Sequence, residues 1–178
     1  VAGSVTFINL EGTRPILIEI QALVDKSMLP NPKRLTVGTD AQRLTMLLAI
    51  LHRHVTLSTY DQDVFLNAVG GIKISETASD LAVLIAIVSS MTNQAVSSKT
   101  AIFGEVGLGG EIRPVSRGQE RIKEASKLGF TRIIVPLKNK AADIPDVEII
   151  GVDNLRDAVK VVFGSNRVNH DDQVYPDE

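Results

Sequence analysis

From Leu81 to Val88 the chain reads Leu-Ala-Val-Leu-Ile-Ala-Ile-Val, a run with no polar side-chain atom. Wound as a helix, it is apolar on every side and leaves no face for water. Such a helix has to sit at the centre of a core, with other elements closed around it. Thr77 is its expected N-cap, and Asp80 stands three residues on in a capping-box-like position. The rest of the chain must supply the cover. With 178 residues, 44% of them hydrophobic, it is long enough for one good-sized core. Aromatic residues make up only 4%, with no Trp, so that core is aliphatic.

The flanking segments read as strands and amphipathic helices. Ser4 to Val24 alternates as two strands joined at Glu11-Gly12-Thr13. Pro30 and Pro32 block helix in a loop that closes in a short strand before Gly38. Thr39 and Gln42 fit a capping box for a helix to Val55, with Leu44, Leu47, Leu48, Leu51 and Val55 as its stripe. A strand ending in Gly70-Gly71 follows. Thr100 to Val115 reads as a hairpin turning at Gly107 to Gly110. Ser116 is expected to cap the next helix, and Gly129 to end it at the C′ position. Two short strands and a last amphipathic helix, Asp153 to about Gly164, complete one domain over 1–164. Residues 165–178 carry Arg167 against Asp171, Asp172, Asp177 and Glu178, a net −3, and read as a disordered acidic tail.

Composition removes several chemistries. There is no Cys, hence no disulfide, thiol nucleophile or Cys-based zinc site. His52, His54 and His170 are too few and badly spaced for a metal cluster, and no metal site is expected. No segment approaches the roughly 18 apolar residues that span a bilayer, and no signal peptide is visible. The chain starts at Val1 rather than Met and is read as a fragment or processed piece of a longer protein. A net charge of −2 argues against nucleic acid, but the distribution argues for it. Residues 113–140 hold eight Lys or Arg against two Glu, a net +6.

The stretch "GEVGLGGEIRPVSRGQERIKEASKLGF", residues 104–130, places a glycine cluster before a basic helix, which invites a phosphate-loop reading. It fails on detail. A Walker loop needs Gly-Lys, and no such pair occurs. A dinucleotide fingerprint needs a third glycine where Ile112 stands, and these glycines precede a strand. A tight turn is the better reading.

The succession of buried helix, Gly-containing hairpin, "RPV", basic helix ending "KLGF" and strand "RIIVP" resembles the proteolytic domain of the Lon family. That family uses a Ser-Lys dyad. The resemblance puts Ala78 at the serine position and Gln119 at the lysine position, so neither catalytic group is present. Ser79 lies about 100° round the helix from the first position, and Lys123 lies about 6 Å along the axis from the second. Such offsets defeat dyad geometry. "LEGTRPILIEIQALV", "RLTMLLAILHRH", "DVFLNAVGGIKISETASDLAVLIAIVSS" and "GEVGLGGEIRPVSRGQERIKEA" resemble more specifically the C-terminal Lon-like domain of the bacterial RadA (Sms) DNA-repair family, over Ser4 to about Phe163.

The resemblance implies an α+β fold of the ribosomal protein S5 domain 2-like kind and no peptidase activity. It implies a role as DNA-binding and oligomerising platform in a cytoplasmic, ATP-driven branch-migration helicase. The partners implied are DNA, single-stranded or branched, further copies in a hexameric ring, and a recombinase. ATP with Mg and a zinc module are expected on domains outside this chain, which itself needs no cofactor. From charge and expected exposure, Arg113, Arg117, Arg121, Lys123 and Lys127 are the first DNA contacts, and Lys33, Arg34, Arg43 and Arg53 the second. Arg113 also has Glu105 and Glu111 within reach as internal partners. Contact to phosphates fits better than base stacking, since no aromatic platform is visible. Two other readings stand beside this one: an active Ser-Lys peptidase, and an assembly scaffold without DNA contact. The N-terminal strands and the helix from Thr39 to Val55 are the candidate assembly surfaces.

Overall fold

The computed structural model describes residues 1–164; the acidic tail expected over 165–178 lies outside the described residues. β1 (Ser4–Glu11) and β2 (Arg14–Lys26) form an antiparallel hairpin in the register Phe7↔Ile18 and Glu11↔Arg14. Its two-residue turn uses Gly12 at φ +61°, a conformation that costs glycine nothing. β3 (Arg34–Val37), α1 (Ala41–Val55) and β4 (Gln62–Ala68) follow. A single 3₁₀ turn, Thr77–Ser79, leads into α2 (Asp80–Thr92). Then come β5 (Thr100–Ile102), the small hairpin β6 (Glu105–Val106) and β7 (Ile112–Arg113), α3 (Gly118–Lys127), β8 (Arg132–Pro136), β9 (Glu148–Val152) and α4 (Leu155–Phe163).

The main sheet has seven strands in the order β3-β4-β2-β1-β5-β8-β9. β2 runs antiparallel to β1 and β4, and every other pairing is parallel. A mixed sheet covered by helices is compatible with the α+β expectation. Every residue of α2 from Asp80 to Ser89 is buried, as its apolar run requires. It packs on β1 and β2 and touches α1 and α4. β1 is covered on both faces: Phe7 and Ile8 point to opposite sides and both are fully buried. α3 also packs on β1 and β2.

The hairpin expected from Thr100 to Val115 divides in two. Thr100–Ile102 joins the main sheet, and only β6 and β7 pair as a hairpin. The break comes at Gly104, whose backbone bonds to the start of α2: its N–H donates to the Ala78 carbonyl (2.8 Å), and its carbonyl accepts from Leu81 N–H (3.0 Å).

The helix starts differ from expectation in a consistent way. Asp40, not Thr39, caps α1, its Oδ1 accepting from the N–H groups of Gln42 (2.8 Å) and Arg43 (3.2 Å). Thr77 does not cap α2 but opens the 3₁₀ turn, and Asp80 is committed elsewhere. Ser116 does not cap α3; the helix begins after Arg117, which sits at φ +55° with no side-chain cap bond. Asn154 caps α4 by accepting from Asp157 N–H (2.9 Å), so that helix begins two residues after Asp153. Gly129 does take the left-handed position just past α3, at φ +90°.

Candidate nucleic-acid interface

The two positions matched to a Ser-Lys dyad are occupied by unrelated contacts. Ala78 lies in the 3₁₀ turn, 3% exposed, with its carbonyl bound by Gly104. Beside it the Ser79 hydroxyl donates to the Glu76 carbonyl (3.0 Å) and closes that turn. Gln119 is exposed on the first turn of α3, and its Nε2 donates to the Asn139 carbonyl (2.8 Å). A cleft of about 440 Å³ between α1 and the start of α2 is walled by Arg43, Lys73, Glu76, Ser79 and Asp80, but not by Ala78.

Two ion pairs flank this turn. On one side Arg121, expected as a DNA contact, is 0% exposed and pairs with Glu76 through two bonds, Nη1–Oε1 at 2.6 Å and Nη2–Oε2 at 3.0 Å. Two further bonds hold it: Nη1 donates to the Ile8 carbonyl (2.8 Å) and Nε to the Ser116 carbonyl (3.0 Å). The guanidinium lies over the Phe103 ring, 5.6 Å from its centre. Glu76 Oε1 also accepts from Leu10 N–H (3.0 Å). Arg121 is therefore a core residue and not the surface cation expected from the sequence.

On the other side Arg43 pairs with Asp80, which is 1% exposed. Asp80 Oδ2 also accepts from Val106 N–H (3.0 Å), and Arg43 Nη2 donates to the Val106 carbonyl (3.3 Å). Burial pushes the Asp80 carboxyl above its ordinary value, against the opposing pull of Arg43 and the Val106 amide. Arg43 thus ties α1 to α2 and β6, with about a quarter of its side chain left exposed at the cleft. Arg34 is likewise turned inward, donating to the backbone carbonyls of Gln62 and Thr59.

The glycine cluster resolves as a turn closed from within. Gly107 N–H donates to the Glu111 carbonyl and Gly110 N–H to the Gly107 carbonyl, both at 2.9 Å. The Glu111 carboxylate folds back over the turn, so that a Cβ on Gly107 would overlap its Oε1 and one on Gly109 would lie 2.8 Å from Oε2. Its own N–H, Arg113 and the Gly109 N–H hold that carboxyl below its ordinary value. The place where a phosphate would nest is taken by the chain's own anion.

The exposed cations that remain fall into two groups. Lys33 and Arg53 stand apart on the β3 side and at the end of α1. Arg113, Arg117, Lys123 and Lys127 run from β7 along α3. Arg113 pairs with Glu111 at 2.7 Å, one of the internal partners within its reach, and Arg117 stands 3.9 Å from Glu120. Sequence reasoning missed what the fold brings to this row. Asn139 docks its side chain on Val115, accepting from Val115 N–H (2.8 Å) and donating to the Val115 carbonyl (3.1 Å), which sets Lys138 and Lys140 beside α3.

Among the described residues no helix is long and apolar enough to cross a membrane.

Comparison with known proteins bears on this arrangement. The family model described as subunit ChlI of Mg-chelatase matches residues 46–139, just over half of the chain. Proteins named DNA repair protein RadA are 55% identical over 164 residues in Pseudomonas aeruginosa, 54% over 161 in Escherichia coli and 43% over 165 in Bacillus subtilis. These matches cover 90–92% of this chain but only 35–36% of the relatives, so the chain spans about a third of their length. The chain belongs to the family that the ChlI model describes and, on identities of 42–55% across nine-tenths of its length, to the RadA family of DNA repair proteins.

Proposed function

We propose that this chain is a non-proteolytic Lon-like module, of the ribosomal protein S5 domain 2-like architecture, which gives a RadA-type DNA repair protein a DNA-binding and ring-forming platform. The observation that carries the reading is the pairing of two facts along α3. The position matched to a catalytic lysine holds Gln119 bound to Asn139, while Arg117 just before the helix and Lys123 and Lys127 on it stay exposed. A surface of this kind binds phosphates without reading sequence.

In this reading the whole protein is a cytoplasmic ATP-driven branch-migration helicase that works with a recombinase on single-stranded or branched DNA. ATP with Mg and zinc bind outside this chain. Self-association into a hexameric ring finds support in the outer face of the sheet. Leu23, Leu35 and Val37 are each more than half exposed there and, with Phe65, line a hollow of about 310 Å³.

The test is binding of a labelled oligonucleotide by the full-length protein, with and without Arg117→Glu/Lys123→Glu, over a range of salt concentrations. A smaller salt dependence in the variant supports the reading. Unchanged affinity and unchanged salt dependence would leave the scaffold without DNA contact as the better account.

A further inference from the structure

After β8 the chain runs Leu137-Lys138-Asn139-Lys140, and among the described residues neither lysine makes an ion pair. The segment is held from both sides. The Asn139 side chain mimics a peptide unit, accepting from and donating to the two backbone groups of Val115, while its own carbonyl takes the Gln119 amide. This docking depends on Gly118, where a Cβ would stand 2.6 Å from Asn139 Nδ2. Behind the segment, the Lys140 stem lies against β9, its Cδ 3.4 Å from where a Cβ on Gly151 would be. Two exposed lysines are thereby fixed by their backbone next to the first turn of α3.

We infer that Lys138 and Lys140 form one phosphate-binding ridge for DNA with Arg117 and Lys123, and that Asn139 is the positioning residue joining its two halves. The inference rests on the DNA-binding reading above and adds to it the segment after β8. Asn139 joins the two stretches of chain that carry these four exposed cations, and among the described residues Glu120, 3.9 Å from Arg117, is the one acid paired to any of them. No aromatic residue stands in either stretch, 115–123 or 137–140, which suits contact to the backbone rather than to bases. Holding the lysines in place before binding reduces the ordering cost when phosphates arrive.

The experiment uses the full-length protein and a fluorescent oligonucleotide, with affinity measured from low to physiological salt. Three variants are compared: Lys138→Glu/Lys140→Glu, Arg117→Glu/Lys123→Glu, and Asn139→Ala, each checked by thermal melting. The Lys138/Lys140 pair should reduce the slope of log affinity against log salt by roughly 1.4 to 1.8, two contacts at about 0.7 to 0.9 each. Asn139→Ala retains every charge and should weaken binding by about 2- to 10-fold, the cost of reordering one or two side chains. In the Lys138→Glu/Lys140→Glu background it should have no further effect, because nothing is left for Asn139 to position. An additive loss there would overturn the positioning role. A wild-type slope for Lys138→Glu/Lys140→Glu beside a reduced slope for Arg117→Glu/Lys123→Glu would overturn the ridge and leave the DNA-binding reading intact. Wild-type slopes for both pairs would sink that reading and the ridge with it.

Discussion

Glu76 and Arg121, 45 residues apart in the chain, close a two-bonded ion pair that fastens α3 to the turn before α2 and to the backbone of β1. Arg121 is fully buried, while about a quarter of the Glu76 side chain meets solvent. The pair is costly to assemble, because Arg121 leaves water wholly and Glu76 for the most part, and more costly to break from one side.

Replacing Glu76 with Gln should destabilise the domain by about 3 kcal/mol, the low end for a broken buried pair, because it strands the guanidinium inside. Replacing Arg121 with Ala adds a cavity to the same loss. Denaturant unfolding of the two variants measures both effects. A change under about 0.5 kcal/mol in either would show that the pair does not hold α3 in place.

No peptidase activity is expected from the chain, nor from Ala78→Ser combined with Gln119→Lys. The first position is buried in a 3₁₀ turn whose carbonyl binds Gly104, and the second faces Asn139. Casein digestion followed over hours is the assay. Turnover by the unmodified chain that Ser79→Ala abolishes would reverse this expectation.

Arg43 and Arg117 should respond differently to loss of charge. Arg43→Ala leaves Asp80 buried without its partner and should cost several kcal/mol, at most the 3–5 of a broken buried pair. Arg117→Ala, at an exposed and long ion pair, should cost under about 1 kcal/mol of stability and lower the salt slope of DNA binding by roughly 0.7 to 0.9. Thermal melting and salt titration of the two variants separate the effects.

The glycines of the β6–β7 turn should not be equivalent. Gly110 has φ +78°, and a Cβ there would stand 2.9 Å from the His54 ring, so Gly110→Ala should cost about 1–3 kcal/mol. Gly107→Ala meets only the far end of the Glu111 side chain and should cost less, displacing the carboxylate from the turn. Equal melting temperatures for the two variants would contradict this account.

Acidic substitutions on the open sheet face should weaken self-association. Leu23→Glu with Leu35→Glu puts charge on two strands of that face and should shift sedimentation of the full-length protein toward smaller species. An unchanged distribution would exclude this face as the contact.

Much of the framework was legible because the signal was local. The apolar run of α2 demanded a central helix, and the alternation from Ser4 to Val24 with its Gly12 turn gave the β1–β2 hairpin. Helix starts misled where a nearby residue competed. Asp40 is a stronger cap than Thr39 beside it, and Asp80 stood in a capping position yet was claimed by Arg43 from another helix. Arg121 was misread because its partner is distant in sequence, although the pattern carried a clue. Gly118, Arg121, Ile122 and Ala125 share the buried face of α3 at helical spacing, so Arg121 sits on the inward stripe. The Lys138–Lys140 segment could not be placed from the sequence, because the Asn139–Val115 bonds that place it are made by the fold.

The central burial of α2 also governs how the domain can come apart. Its cover comes from β1 and β2 near the start of the described chain, from α1, and from α4 at the end. The stretch from β1 through α2 covers much of this helix, but the sides that β6 and α4 close stay open without the rest of the chain. During synthesis, α2 would stay without its full cover until some seventy further residues, through Phe163, had emerged. Amide protons in its middle turns should then exchange only through global opening, at the slow limit set by the stability of the whole domain.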